Sequence, residues 1–81
     1  MSLNNSFDIK KWCRKNQDIA KDLGMAIYKN QRAKTAGEVL AKTDFNDATP
    51  EINSIREILD WSLRNKSLAR VVFMELYKEL K

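Results

Sequence analysis

The chain has 81 residues, of which 43% are apolar and 32% are charged, and its net charge is +4. A chain of this length forms one domain with a single small core, and it is too apolar for intrinsic disorder. It contains no histidine and one cysteine, which excludes His-based catalysis, zinc fingers, iron–sulfur clusters and an internal disulfide.

The first predicted element is one long amphipathic helix, from about residue 8 to about residue 33. Residues 1 to 6 are polar and are expected to fray, with Ser6 as the predicted N-cap. At ~100° per residue the apolar side chains between residues 9 and 27 form one stripe, whose phase continues through Gly24. A straight helix of about 26 residues spans ~39 Å, whereas a monomer of this size is roughly 30 Å across. Either the helix kinks near Gly24, or its end packs on a second chain.

A short second helix is predicted from about residue 36 to residue 43. Thr35 and Glu38 have the spacing of a capping box, and an apolar pair follows them. Residues 44 to 48 form a polar loop interrupted by Phe45. We expect this ring to plug the end of a helical bundle rather than to bind a ligand.

The C-terminal part begins at a strong helix start, because Thr49 can cap, Pro50 suits the first helical position and Glu51 follows. A polar stretch that ends at Ser67 predicts a break and a new cap. The apolar stripes before and after it differ by only about 50° in phase. A single helix over residues 50–80 therefore remains an alternative to two separate helices.

These elements predict an all-α fold, a bundle of three or four helices led by the long N-terminal helix, with residues 1–81 as one domain. Two glycines and one proline are too few for the turns of a β-rich fold. Read along the chain, the sequence suggests no internal repeat. No apolar run approaches the ~20 residues that a membrane-spanning helix needs, and no signal peptide is evident. We expect a cytoplasmic protein that is not inserted in a membrane.

Two asparagines interrupt the apolar stripe of the first helix, at Asn16 and Asn30. A polar residue inside a helical seam can fix the register and the oligomeric state. With Leu23 at the middle of the stripe, these residues form a candidate seam for a homo-oligomer. The alternative is that both amides lie at the wet edge of the stripe or near helix ends.

A second candidate site lies on the charged face of the first helix. Met25 and Tyr28 project there, beside Lys21, Lys29 and Arg32. An exposed aromatic ring among cations can anchor a protein contact or stack on a nucleic-acid base. The alternative is that the short second helix covers the two apolar side chains.

A nucleic-acid function is suggested by charge and by a partial motif. Residues 1–42 carry nine basic and four acidic side chains, a balance of +5. Residues 17–25 resemble the first helix and turn of a helix-turn-helix, with Ala20 at the small position and Gly24 at the turn. The match then fails, because Asn30 stands where the recognition helix needs an apolar residue.

No catalytic constellation, phosphate loop or metal-ligand cluster is present in the sequence, and Cys13 falls on the core stripe. We therefore expect no enzyme and no cofactor. The favoured hypothesis is a small non-catalytic regulatory protein, of the adaptor, inhibitor or antagonist type, that binds another protein through a helical face. The alternative is a nucleic-acid-binding transcriptional regulator with a degenerate helix-turn-helix and a basic N-terminal half.

Overall fold

The computed structural model describes residues 3–45 and 48–80. Its helices, in chain order, are α1 (Ser6–Lys15), α2 (Gln17–Lys29), α3 (Ala36–Leu40), α4 (Ile52–Arg64) and α5 (Lys66–Glu79). Over the described part of the chain the helical content is 72% and no residue lies in a strand, which confirms the all-α prediction. The number of helices exceeds the three or four expected.

The single long helix predicted over residues 8–33 is not found, because α1 and α2 meet at Asn16. The backbone there leaves the helical region, with φ −134° and ψ 57°. The side-chain amide of Asn16 donates to the carbonyl oxygen of Trp12 at 2.9 Å, in place of the backbone N–H of a continuing helix. Asparagine competes in this way with helical hydrogen bonding. The break is therefore at Asn16 and not at Gly24, which lies inside α2.

The C-terminal part is also two helices, and they are joined in the same way. Asn65 has φ −132° and ψ 53°, and its side-chain amide donates to the carbonyl oxygen of Trp61 at 2.9 Å. The two-helix interpretation of residues 50–80 is therefore correct, but the break precedes the cap that we expected at Ser67.

The pairs α1–α2 and α4–α5 are two copies of one unit, and the expectation of no internal repeat is wrong. The copies are offset by 49 residues, the separation of Trp12 from Trp61. Seven positions are identical between residues 9–29 and 58–78. They are Ile9/Ile58, Trp12/Trp61, Asn16/Asn65, Ala20/Ala69, Met25/Met74, Tyr28/Tyr77 and Lys29/Lys78. The repeat was missed because the other fourteen of the 21 positions differ, and the shared backbone break makes the alignment evident.

The two copies pack crosswise around one core to which all five helices contribute. α1 packs on α5 and α2 packs on α4, while α3 covers α4. Equivalent residues Ile9 and Ile58 are both fully buried. Two surface ion pairs, Lys10–Glu75 and Arg14–Glu79, also join α1 to α5. Exposed pairs of this kind contribute little, so the crosswise packing depends on apolar burial.

The N-terminus is anchored from residue 3 onward. Leu3 is buried, and its backbone N–H donates to a carboxylate oxygen of Glu57 at 2.9 Å. Asn5, and not Ser6, caps α1, since its side-chain oxygen accepts from the N–H of Asp8. The predicted fraying is therefore wrong for residues 3–6, and residues 1 and 2 lie outside the described part of the chain.

The connection between the two copies keeps the predicted cap and the predicted plug, but α3 ends at Leu40 rather than near residue 43, and Glu51 rather than Thr49 is the N-cap of α4. The hydroxyl of Thr35 accepts from the N–H of Glu38 at 3.2 Å, which confirms the N-terminal cap of α3. Phe45 is half-buried and packs against the core, as expected of a plug. The predicted loop over residues 44–48 includes residues 46 and 47, which lie outside the described residues. The turn that follows leads into α4, which begins at Ile52.

The molecule measures 28 × 26 × 24 Å along its principal axes. A helix of the length of α2 spans only ~20 Å, so neither half of the predicted long helix overhangs the bundle. The length argument for packing on a second chain is therefore removed. No helix in the described ranges is long and apolar enough to cross a membrane.

Candidate functional site

An open apolar groove of about 400 Å³ lies between α2 and α5. Its volume is in the range of ~300–1,000 Å³ that is typical of binding clefts. α4 supplies part of its floor through Ser62 and Leu63. We call it the α2/α5 groove, and its main walls are Gly24, Ile27 and Tyr28 of α2 and Phe73, Met74 and Tyr77 of α5.

One end of the groove is closed by Tyr77, which lies against Gly24. A Cβ atom at residue 24 would lie only 2.8 Å from the Tyr77 hydroxyl oxygen, so glycine is required for this approach. The hydroxyl donates to the backbone carbonyl of Lys21 at 2.7 Å. Burial raises the pKa of Tyr77, and the Asp22 carboxylate raises it further. The hydroxyl therefore stays protonated and holds α5 to α2.

The equivalent tyrosine of the first copy, Tyr28, is left at the surface. Where the first copy has Gly24, the second has Phe73, whose ring is 5% exposed. A buried ring at that position leaves no room for the close approach that Tyr77 makes. Tyr28 is 70% exposed and borders the open side of the groove. The difference between Gly24 and Phe73 thus accompanies a closed Tyr77 at one end of the groove and an exposed Tyr28 at its open side.

A buried hydroxyl lies at the floor of the groove. Ser62 is 1% exposed, and among the described residues its Oγ has no hydrogen-bond partner. A buried hydroxyl without a partner lowers the stability of the fold. At the groove floor this hydroxyl is free to donate or to accept a hydrogen bond. The first copy has Cys13 at the equivalent position. Burial raises the pKa of that thiol to about 12, against a smaller opposing effect of Arg14, so it is an unreactive core residue as expected.

Two cations stand at the other end of the groove from Tyr77. Lys66 donates from Nζ to the backbone carbonyl of Gln31 at 2.9 Å, and Arg70 donates from Nη2 to the Gln31 side-chain oxygen at 3.2 Å. Both acceptors are neutral, so neither positive charge is compensated there. Among the described residues that line the groove there is no Asp or Glu.

The positive charge continues onto a shallow surface beside Tyr28. Within the described ranges, no lysine or arginine of this surface belongs to an ion pair. The one carboxylate on this surface, Glu38, already accepts from the backbone N–H of Lys34. We call this set of cations the basic rim, and it consists of Lys29, Arg32, Lys42, Lys66 and Arg70.

The predicted partner-binding face is only partly assembled. Tyr28 lines the groove, and Lys29 and Arg32 belong to the basic rim. Met25 is 46% exposed and lies outside the groove, while Lys21 supplies a carbonyl to Tyr77. α3 does not cover the two apolar side chains, contrary to the alternative considered.

Sequence reasoning missed the α5 half of the site. The α5 residues that face α2 across the groove are Lys66, Arg70, Phe73 and Met74. No local pattern in the sequence relates the two helices. The internal repeat was the available signal, because it pairs Met74 with Met25 and places Phe73 opposite a glycine in the alignment.

The residues of the candidate oligomer seam have partners within the chain. Leu23 is fully buried in the core, so it is not accessible to a second copy. Asn30 ends α2 by donating from its side chain to the carbonyl of Ala26 at 2.8 Å, and Asn16 makes the equivalent bond to Trp12. Both amides thus lie at helix ends, which was the alternative considered. Self-association stays a prediction.

The described residues contain no group of His, Cys, Asp or Glu that could hold a metal ion. Gly24 is helical, so residues 17–25 do not form the turn of a helix-turn-helix. No family model, curated protein or solved structure matches the chain.

Proposed function

We propose that this chain is a small non-catalytic regulatory protein, of the adaptor, inhibitor or antagonist type, and that it binds another protein through the α2/α5 groove. The observation that carries this proposal is the apolar groove itself, with Tyr28 and the 54% exposed Met74 at its edge. Exposed apolar patches on small proteins mark contact sites, and tyrosine and methionine are enriched in interfaces.

The alternative is nucleic-acid binding, and the observation that favours it is the basic rim beside the exposed ring of Tyr28. Cations and a free aromatic ring can hold a single strand by phosphate contacts and base stacking. A protein partner accounts for more of the site, because the apolar side chains of Ile27, Phe73 and Met74 offer nothing to a phosphate backbone. Salt and nuclease separate the two functions, since phosphate contacts weaken steeply with salt.

The test is affinity capture from cells of the source organism with wild type and two matched variants. Met74→Glu places a charge at the groove edge, while Phe7→Glu places one on the 73% exposed Phe7 of α1, away from the groove. We expect wild type and Phe7→Glu to retain the same protein after nuclease treatment and in high salt. We expect Met74→Glu to lose at least tenfold of it, equivalent to ~1.4 kcal/mol.

Two outcomes would contradict the proposal. Equal retention of that protein by Met74→Glu would show that the groove is not the contact surface. Loss of all specific capture on nuclease treatment would support the nucleic-acid alternative instead.

A further inference from the structure

We infer that the element that occupies the α2/α5 groove is an amphipathic helix of the partner protein, with acidic side chains at one end of its apolar stripe. This inference rests on the proposed function and adds the chemistry of the partner. It follows from the length of the groove, from the position of its charges and from the charges on this chain's own surface.

The groove has the length of a short helix. It follows α5 from Lys66 to Tyr77, which is ~16 Å at ~1.5 Å per residue, or about three turns. Its walls are two helices, and helices lay one apolar face into such grooves with anchors at positions i, i+3 or i+4 and i+7. An added strand would need an open sheet edge, and no described residue of this chain lies in a strand.

The charges divide the groove along its length. Lys66 and Arg70 lie at the end marked by Gln31, whereas the other end is closed by Tyr77 over Gly24. Apolar side chains of the partner helix would contact Phe73 and Met74. Carboxylates one turn further along that helix would reach Lys66 and Arg70, whose positive charges are uncompensated. Such complementarity selects the partner and fixes its direction in the groove.

A second copy of this chain does not fit this description. Its most exposed apolar side chain, Phe7, lies on α1, and the exposed Lys11 and Lys15, which belong to no ion pair among the described residues, follow it at intervals of four residues. Docking this face would bring cations onto the basic rim, and like charges across an interface are unfavourable. The complementary helix therefore belongs to a different protein.

The experiment measures the binding of fluorescent, covalently stapled helical peptides to the full chain by anisotropy. The peptides share one stripe of Leu and Phe and differ only in one terminal turn, which carries Glu, Gln or Lys. We expect the Glu peptide to bind at least roughly tenfold more tightly than the Lys peptide at low salt, with a smaller ratio at high salt.

A charge reversal identifies the cations. We expect the double variant Lys66→Glu/Arg70→Glu to prefer the Lys peptide. The control Lys11→Glu/Lys15→Glu changes the net charge equally, at exposed residues of α1 that do not line the groove, and is expected to keep the wild-type order. The milder pair Lys66→Gln/Arg70→Gln should abolish the preference, and circular dichroism verifies the fold of every variant.

Equal affinities for the three peptides, no binding of the Glu peptide, or the same reversal in the control variant would each overturn the inference. None of these three outcomes changes the result expected from the capture experiment with Met74→Glu. The proposed function can therefore stand if the acidic-helix inference fails.

Discussion

The two copies of the repeat share a core and differ in what they show to solvent. Ile9 and Ile58 are fully buried in equivalent places, and both helix junctions use an asparagine amide in the same way. At one pair of positions, however, Gly24 admits Tyr77 while Phe73 leaves the equivalent tyrosine outside. The two copies therefore bury equivalent positions in the core, and the difference between Gly24 and Phe73 lies at the groove.

The outer faces differ as well. The second copy exposes Leu68, Val71 and Met74 along α5, whereas the first copy exposes Met25 and Tyr28 on α2 and has Asp22 where the second has Val71. Both copies therefore expose apolar side chains, but most of the residues that line the groove belong to α5, and α2 is its opposite wall.

The largest expected effect is in the shared core. Leu23→Ala should lower the free energy of unfolding by ~2–5 kcal/mol, because Leu23 is fully buried. The equivalent change Val72→Ala should be less damaging, since fewer carbon atoms are removed. Urea melts measure both, and a loss below ~0.5 kcal/mol for Leu23→Ala would show that the stripe is not the core.

The junctions should respond unequally in the two copies. Asn16→Leu removes the side-chain bond to the Trp12 carbonyl and should lower the free energy of unfolding by ~1 kcal/mol. Asn65→Leu should cost less, because the backbone N–H of Asn65 still donates to the Trp61 carbonyl at 3.0 Å. Asn53→Leu, on an exposed residue of α4, is the control. The seam hypothesis expects the opposite for Asn16, namely a higher melting temperature and an altered oligomeric state. Thermal melts together with light scattering distinguish these two expectations for Asn16→Leu.

The contact between Gly24 and Tyr77 should appear as a coupling between the two residues. Gly24→Ala alone should be destabilising by up to ~1 kcal/mol, because the new methyl group displaces the tyrosine ring and its bond to Lys21. In a Tyr77→Ala background the same change should be stabilising by ~0.5–1 kcal/mol, the helix preference of alanine over glycine. Denaturant melts of the four proteins complete the cycle. Additive effects would mean that the contact does not set the close approach of α5.

The smallest expected effect is at the groove floor. Ser62→Ala should leave the stability within ~0.5 kcal/mol of wild type or raise it, since the buried hydroxyl has no partner among the described residues. Cys13→Ala, at the equivalent position, should lower it by ~1 kcal/mol because a buried sulfur is lost. A larger loss for Ser62→Ala in the same melts would reveal a bond to the hydroxyl.

Helical periodicity was sufficient to predict the class of fold and the core position of Leu23, and the spacing of Thr35 and Glu38 was sufficient to predict the cap of α3. It could not locate the break at Asn16, because one non-helical residue barely changes the phase of the stripe that follows.

The candidate site was predictable only in small part, for a related reason. Tyr28 stood out locally as an aromatic residue among cations, and of the predicted face it alone lines the groove. The α5 wall depends on tertiary packing, and the approach of Tyr77 to Gly24 joins residues that are far apart in the chain. Only the comparison of the two copies contains that information in the sequence.

The central claim, that the α2/α5 groove is the contact surface, is tested most directly by a ¹⁵N–¹H NMR titration of the full chain with the Glu-terminated stapled peptide. We expect the largest shift changes at the backbone amides of Gly24, Ser62, Phe73 and Met74, with those of α1 around Phe7 unchanged. Changes centred on α1, with the amides of Gly24, Phe73 and Met74 unchanged, would contradict the claim.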